Sequence, residues 1–192
     1  ILAGAAGTAI GITAIAGVEA ISANGFANVY LRGTSAAETL NFSAVTLTGL
    51  ARIDAGAGND SLTGSTGADM LTGGAGVDLL TGGAGADVFD FNFITESRGA
   101  TFDTITDFSN GLDLIDLGGI DAQSLVAGNQ AFSFIGSAAF GLIAGQLRMI
   151  TTTPGVTRIQ GDVDGNGSAD FEVRLAWNGG PAILVDQLDF IL

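Results

Sequence analysis

Four aspartates recur at intervals of nine residues, Asp60, Asp69, Asp78 and Asp87, each preceded by a glycine-rich stretch. A periodic carboxylate among backbone carbonyls that glycine leaves uncovered is an all-oxygen donor set. It suits a hard divalent cation, since calcium takes six to eight oxygens at about 2.3–2.6 Å from carboxylates and carbonyls alike. Little other chemistry is open to the chain. It has no His, no Cys and no Lys, and its six cations are all arginines. Zinc hydrolysis, Ser-His-Asp and Cys-His catalysis and haem ligation therefore lack their usual side chains. Schiff-base chemistry and a phosphate-cradling P-loop lack their lysine. A glycosidase-like pair of carboxylates is the common active site that composition still permits. Asp113 and Asp116, interleaved with Leu112, Leu114, Ile115 and Leu117, read instead as exposed-face and turn acids, so no catalytic residue is assigned.

The charge balance agrees with a cation as partner. A formal net charge of −14 argues against nucleic acid and anionic membrane surfaces, which call for basic patches. The chain is 47% hydrophobic, too apolar for a disordered acidic tail. Its 31 glycines in 192 residues are too many for ordinary helices, where each costs about 1 kcal/mol relative to Ala. Turn-dense β structure is the class that remains.

Residues 55–90 divide without remainder into nonamers: AGAGNDSLT (55–63), GSTGADMLT (64–72), GGAGVDLLT (73–81) and GGAGADVFD (82–90). The apolar position recurs at Leu62, Leu71, Leu80 and Phe89, and Ile53 continues the ladder upstream. In each nonamer six residues can turn through φ > 0 conformations open to glycine, and three make a minimal strand whose central side chain points inward. If each turn reverses the chain, turns two repeats apart stack on one edge. Asp60 then lies beside Asp78, and Asp69 beside Asp87. Strands about 4.8 Å apart let one calcium touch oxygens of two stacked turns. Without the ion those carboxylates repel, so the spacing predicts a roll that is ordered with calcium and loose without it.

The flanks are less regular. Residues 1–54 read as an irregular β-solenoid lead-in, with short apolar runs such as Val29–Leu31 and Leu40–Phe42 between Gly, Ser, Asn and Thr. Within it GTSAAETLN (33–41) resembles a degenerate nonamer, out of register with the others, with Glu38 in the acidic position. The first sixteen residues are apolar but fall short of the ~20 that span a bilayer, and the start at Ile1 suggests a piece of a longer chain. Residues 91–192 read as an antiparallel β C-terminal domain, a sandwich. Alternating Phe89, Phe91 and Phe93 suggest a strand with one buried face, and Asp121–Val126 a short helix. The fold class is thus all-β, a parallel β-roll followed by an antiparallel cap. GDVDGNGSADF (161–171) places Asp162, Asp164, Asn166 and Asp170 as a calcium loop would, yet Val173 stands where a bidentate Glu is needed. A Gly-Asn-Gly hairpin with solvated acids and a cation loop both remain open.

The nonamers match the G-G-x-G-x-D-x-U-x pattern of calcium-binding parallel β-helices, and at these residues the chain resembles the RTX family. Residues 55–192, with FDTITDFSNGLDLIDL (102–117), ADFEVRL (169–175) and the terminal DFIL, are similar to the C-terminal domain of serralysin-type secreted proteases. The resemblance implies a right-handed roll with several calcium ions between its coils. It implies ligands Asp60, Asp69, Asp78 and Asp87, with carbonyls of Gly56, Gly58, Gly67, Gly73, Gly74, Ala75, Gly76, Gly82, Gly83, Ala84 and Gly85. A further site is implied between Glu96 and Asp103. The resemblance also implies secretion, folding outside the cell, and a type I exporter that reads Asp189, Phe190, Ile191 and Leu192. The expected function is that of a calcium-folded secretion module of a larger protein. Two alternatives stay open: a surface-layer or adhesin module that self-associates on a cell surface, and the non-catalytic tail of a secreted hydrolase or epimerase.

Overall fold

The computed structural model describes residues 1–13, 15–153, 155–176 and 183–192. Short strands alternate between two facing sheets, because each carries one inward apolar residue and is bounded by a turn that reverses the chain. The first sheet holds β1 (Ala9–Gly11), β3 (Tyr30–Arg32), β6 (Ile53–Asp54), β8 (Met70–Thr72), β10 (Val88–Asp90), β12 (Leu114–Asp116) and β17 (Phe190–Ile191). The second runs from β4 (Thr39–Asn41) through β7 (Ser61–Thr63), β9 (Leu79–Thr81) and β11 (Asp103–Ile105) to β16 (Phe171–Ala176), β15 (Val156–Asp162), β14 (Gln146–Thr153) and β13 (Ser133–Phe134). A separate pair, β2 (Ala20–Ser22) with β5 (Thr46–Thr48), lies in the lead-in. Pairing from β4 through β11 and from β1 through β12 is parallel throughout, giving an all-β solenoid of about 5 turns.

The single apolar ladder of the sequence resolves into two. Leu31, Ile53, Leu71, Phe89 and Ile115 stack in register along the first sheet, and Leu40, Leu62, Leu80, Ile105 and Leu175 along the second. Each is at most 1% exposed, and burying such a side chain contributes roughly 1.5–3 kcal/mol. Phe91 extends this core by packing edge-on against Phe171, ring centroids 5.3 Å apart.

Beyond residue 90 the structure differs from the sequence expectation in four places. β11 and β12 continue the parallel stacking, because Ile105 and Ile115 offer the same single inward side chain as a nonamer. The antiparallel portion is a meander of β14, β15 and β16 that extends the second sheet through the parallel β11–β16 pair, rather than a separate sandwich. Phe93 is 66% exposed, because β10 ends at Asp90 and the chain turns away. Asp121–Val126 forms bends and turns, where Asp121 accepts the Gln123 and Gln130 N–H groups in place of helical bonds. Trp177 and Ala182, at the ends of two expected strands, lie outside the described residues.

Candidate metal centre

Turns gather on two edges. The 33–38, 55–60 and 73–78 turns stack on one, followed by the longer connection that ends at Asp103. The 64–69, 82–87 and 107–113 turns stack on the other. Backbone bonds zip the 55–60 and 73–78 turns together: Ala75 N–H donates to Gly56 O at 3.1 Å and Gly58 N–H to Ala75 O at 2.8 Å. Stacking this close explains the glycines. Gly74 (φ +92°) and Gly76 (φ +146°) lie over the carbonyl oxygens of Gly56 and Gly58, which a Cβ at either position would overlap. Gly83 and Gly85 lie in the same way over Ser65 and Gly67.

The acids form ladders across these stacks. Asp60 Oδ1 accepts the Glu38 N–H at 2.7 Å, Asp78 Oδ1 that of Asp60 at 2.7 Å, and Asp103 Oδ1 that of Asp78 at 2.8 Å. On the other edge Asp87 Oδ1 accepts the Asp69 N–H at 2.9 Å, and Asp113 Oδ1 that of Asp87 at 3.0 Å. One oxygen of each carboxylate thereby fixes the spacing of successive coils. The second oxygens of Asp60, Asp78, Asp87 and Asp103 are buried and have no protein partner. All four residues are at most 2% exposed. An unpaired buried carboxylate oxygen is costly unless a cation or donor meets it. Four of them along the stacked turns fit calcium, whose ligands are all oxygen.

Electrostatics carry the same message. Burial pushes Asp78 and Asp87 up to about 6 and Asp103 up to about 8, with neighbouring carboxylates adding to the rise. Asp60, Glu96 and Asp113 are raised chiefly for the same reason.

Not every expected ligand stands alike. Asp69 is first in its stack, and its Oδ2 is taken by the Ser65 N–H at 2.6 Å and hydroxyl at 2.8 Å. Gly73 and Gly82 lie against the second oxygens of Asp78 and Asp87, while Ala84 is exposed on its turn. Glu96 is 8% exposed, accepts the Asn92 N–H at 2.8 Å, and lines a cleft with Asp54, Thr72 and Gly74. It feels Asp90 and Asp54, and it raises Asp103 in turn. Asp113, read as an exposed-face or turn acid, is 4% exposed and a rung of the ladder. Its place follows the irregular spacing after Asp87, which a nine-residue period does not reach. Asp107 is a second residue the period misses: its two oxygens clasp the Gly82 and Gly83 N–H groups, both at 2.9 Å.

The loop after β15 brings Asp162, Asp164 and Asp170 together, with one carboxylate oxygen of each within 4.8 Å of the others. Asp162 is buried rather than solvated, and its oxygens accept the Gly165 and Gly167 N–H groups at 2.7 and 2.8 Å. Asp170 accepts the Val163 N–H at 2.9 Å. These acids shape their hairpin with backbone donors, whereas the roll leaves four oxygens unmet. At the C-terminus Asp189 is 1% exposed. It accepts the Gly111 N–H at 3.0 Å and closes a capping box with Asp186. Phe190 follows as the last rung of the first sheet, opposite Ile115.

Parallel coils joined by glycine turns, with acid ladders on both edges, define an RTX-type β-roll. The chain belongs to the family described as the Peptidase M10 serralysin C terminal, which it matches over residues 33–190. It is similar to the AlgE6R2 subunit of a mannuronan C5-epimerase from Azotobacter vinelandii, at 30% identity and TM-score 0.54, covering 77% of this chain and 83% of that one. The AlgE6R3 subunit of the same enzyme aligns at 27% identity and TM-score 0.50, covering 93% and 82%. No curated protein sequence matches the chain. Among the described residues no helix is long and apolar enough to cross a membrane.

Proposed function

We propose that the chain is a calcium-binding module of a larger secreted protein, whose coils order when calcium fills the stacked turns. The supporting observation is the set of four buried carboxylate oxygens without partners at Asp60, Asp78, Asp87 and Asp103. Calcium there would join those oxygens to carbonyls of the stacked turns and neutralise acids that otherwise oppose folding. Glu96 beside Asp103 would hold an ion at the end of one stack. Binding only the folded state stabilises it by about 2.7 kcal/mol per site at a hundredfold excess over Kd. Secretion through a type I exporter that reads Asp189–Leu192 fits the serralysin-type family membership. The likeness to the two AlgE6 subunits favours a second reading of the parent, in which the roll is the non-catalytic tail of a secreted enzyme.

Isothermal titration of chelator-stripped protein tests the calcium reading. Several calcium ions should bind, with magnesium a poor substitute, and Asp60→Asn and Asp87→Asn should each lower the count. Wild-type protein that takes up no calcium would exclude it.

A further inference from the structure

We propose that Asn166 is an acceptor for N-linked glycosylation, presented at the tip of the loop between β15 and β16. The site shares no residue with the acid ladders and goes beyond the calcium reading. Enzymes that attach a sugar to an amide nitrogen read Asn-x-Ser or Asn-x-Thr, with x other than proline. Three such triplets occur in the chain: Asn41-Phe42-Ser43, Asn59-Asp60-Ser61 and Asn166-Gly167-Ser168. The fold separates them.

A transferase closes around the triplet, so the backbone there has to stand clear of the sheets. Asn59 does not meet this condition. Its Oδ1 accepts the Val77 N–H of the next stacked turn at 3.0 Å, and its neighbour Asp60 is 2% exposed. Asn41 is tied down as well. It stands opposite Thr63 in the β4–β7 pair, Phe42 N–H donates to Thr63 O at 2.8 Å, and Phe42 is fully buried. The third triplet is free of both restraints. Residues 163–168 belong to no strand, and Asp164, Asn166 and Ser168 are exposed. Gly165 (φ +76°) and Gly167 (φ +83°) turn the chain on either side of Asn166, through conformations that favour glycine.

The Asn166 side chain is also set for the chemistry. A carboxamide nitrogen is a poor nucleophile, because its lone pair is delocalised onto the oxygen. Here Oδ1 accepts the Ser168 N–H at 2.7 Å, and Nδ2 donates to Asp164 Oδ2 at 2.9 Å. A donor on the oxygen and an acceptor on the nitrogen polarise the amide toward its imidate form. Asn166 also precedes a glycine, a pairing that loses ammonia when the glycine nitrogen attacks the side-chain carbonyl carbon. The Gly167 N–H is held by Asp162 Oδ2 at 2.8 Å, so the loop preserves the amide.

In the transfer, Nδ2 attacks the anomeric carbon of a sugar carried on a diphosphate. The new C–N bond replaces the C–O bond to phosphate, whose electron pair leaves with the diphosphate. Nδ2 passes one proton to a carboxylate base of the transferase. A nucleotide-diphosphate donor delivers a single sugar, and a lipid-diphosphate donor a preassembled oligosaccharide.

Peptide mass mapping of the protein recovered from the cells that make it, or from their medium, tests the site. The peptide containing Asn166 should carry added sugar mass, while those of Asn41 and Asn59 stay bare. One added sugar identifies the nucleotide donor, and several added together the lipid donor. Asn166→Gln and Ser168→Ala should each lose the sugar, and Ser168→Thr should keep it. Should Asn166→Gln not fold, Ser168→Ala decides, since it retains the amide and alters only the exposed hydroxyl. A bare Asn166 in wild type, or sugar that persists in Ser168→Ala, overturns the proposal.

Discussion

Asp78→Asn should change the roll in opposite directions with and without calcium. Asp78 sits between Asp60 and Asp103, with Oδ1 on the Asp60 N–H and Oδ2 buried and unpartnered. In the metal-free roll burial raises its pKa to about 6. A raised carboxylate pKa means that the folded state holds the proton more tightly, so stability is lost as pH climbs from the unfolded value toward the folded one. From 3.8 to about 6, that ionisation costs on the order of 3 kcal/mol at pH 7.5. Asn keeps the Oδ1 acceptor and removes the charge, but leaves an unpaired Nδ2 donor that costs roughly 1–3 kcal/mol. In chelator the variant should therefore be more stable than wild type by up to about 2 kcal/mol. With calcium the order reverses, because a buried amide N–H2 replaces an anionic ligand. At a hundredfold excess over Kd, losing one site removes about 2.7 kcal/mol. Far-UV circular dichroism at pH 7.5 reads both arms: in EDTA the variant should hold more β structure than wild type, and in millimolar calcium it should unfold at lower urea. A variant less stable than wild type in EDTA and equal to it in calcium would refute the reasoning.

The same geometry sets five further outcomes. Metal-free wild type should grow more stable as pH falls from 8 to 5, since Asp103, Asp78 and Asp87 regain protons through about 8 and about 6; the gain of far-UV β signal in EDTA across that range checks the sign. Calcium affinity should fall over the same interval, because protons compete for the same oxygens. Gly76→Ala meets both φ +146° and the Gly58 carbonyl, so calcium-loaded stability should drop by more than about 2 kcal/mol. At Gly67 a Cβ meets only Ser65 Oγ at 3.7 Å, and Gly67→Ala should stay within about 0.5 kcal/mol by thermal unfolding. Asp189→Ala deprives the Gly111 and Asp186 N–H groups of their acceptor, and should cost about 1–3 kcal/mol and raise hydrogen exchange in the final coil.

The sequence was most informative where local chemistry repeats. Gly74 and Gly76 announce a turn that only glycine can make, and the nine-residue recurrence of Asp fixes which turns stack. Leu62 and Leu71 share one period yet face the core from opposite sheets, as a chain reversed by every turn requires. What the period could not show lies where coil length changes. Four extra residues hide Glu38 from its partner Asp60, and uneven spacing hides Asp107 and Asp113. The meander escaped for another reason. β14, β15 and β16 alternate as sandwich strands would, and nothing local in FEVRLA reveals that β16 will pair in parallel with β11. Phe93 continues the alternation of Phe89 and Phe91, but the chain leaves the sheet at Asp90, a tertiary event without a sequence mark. Asp189 is legible only in space, since its partner Gly111 lies 78 residues away.

Far-UV circular dichroism of EDTA-stripped protein at pH 7.5, with calcium titrated back, tests the central claim most directly. The stacked acids and orphaned oxygens of the 55–60, 73–78 and 82–87 turns call for a coil-like spectrum that converts cooperatively to β structure as calcium binds. A full β spectrum in EDTA, unchanged by calcium, would contradict the account and leave the aspartates as turn residues of a metal-independent solenoid.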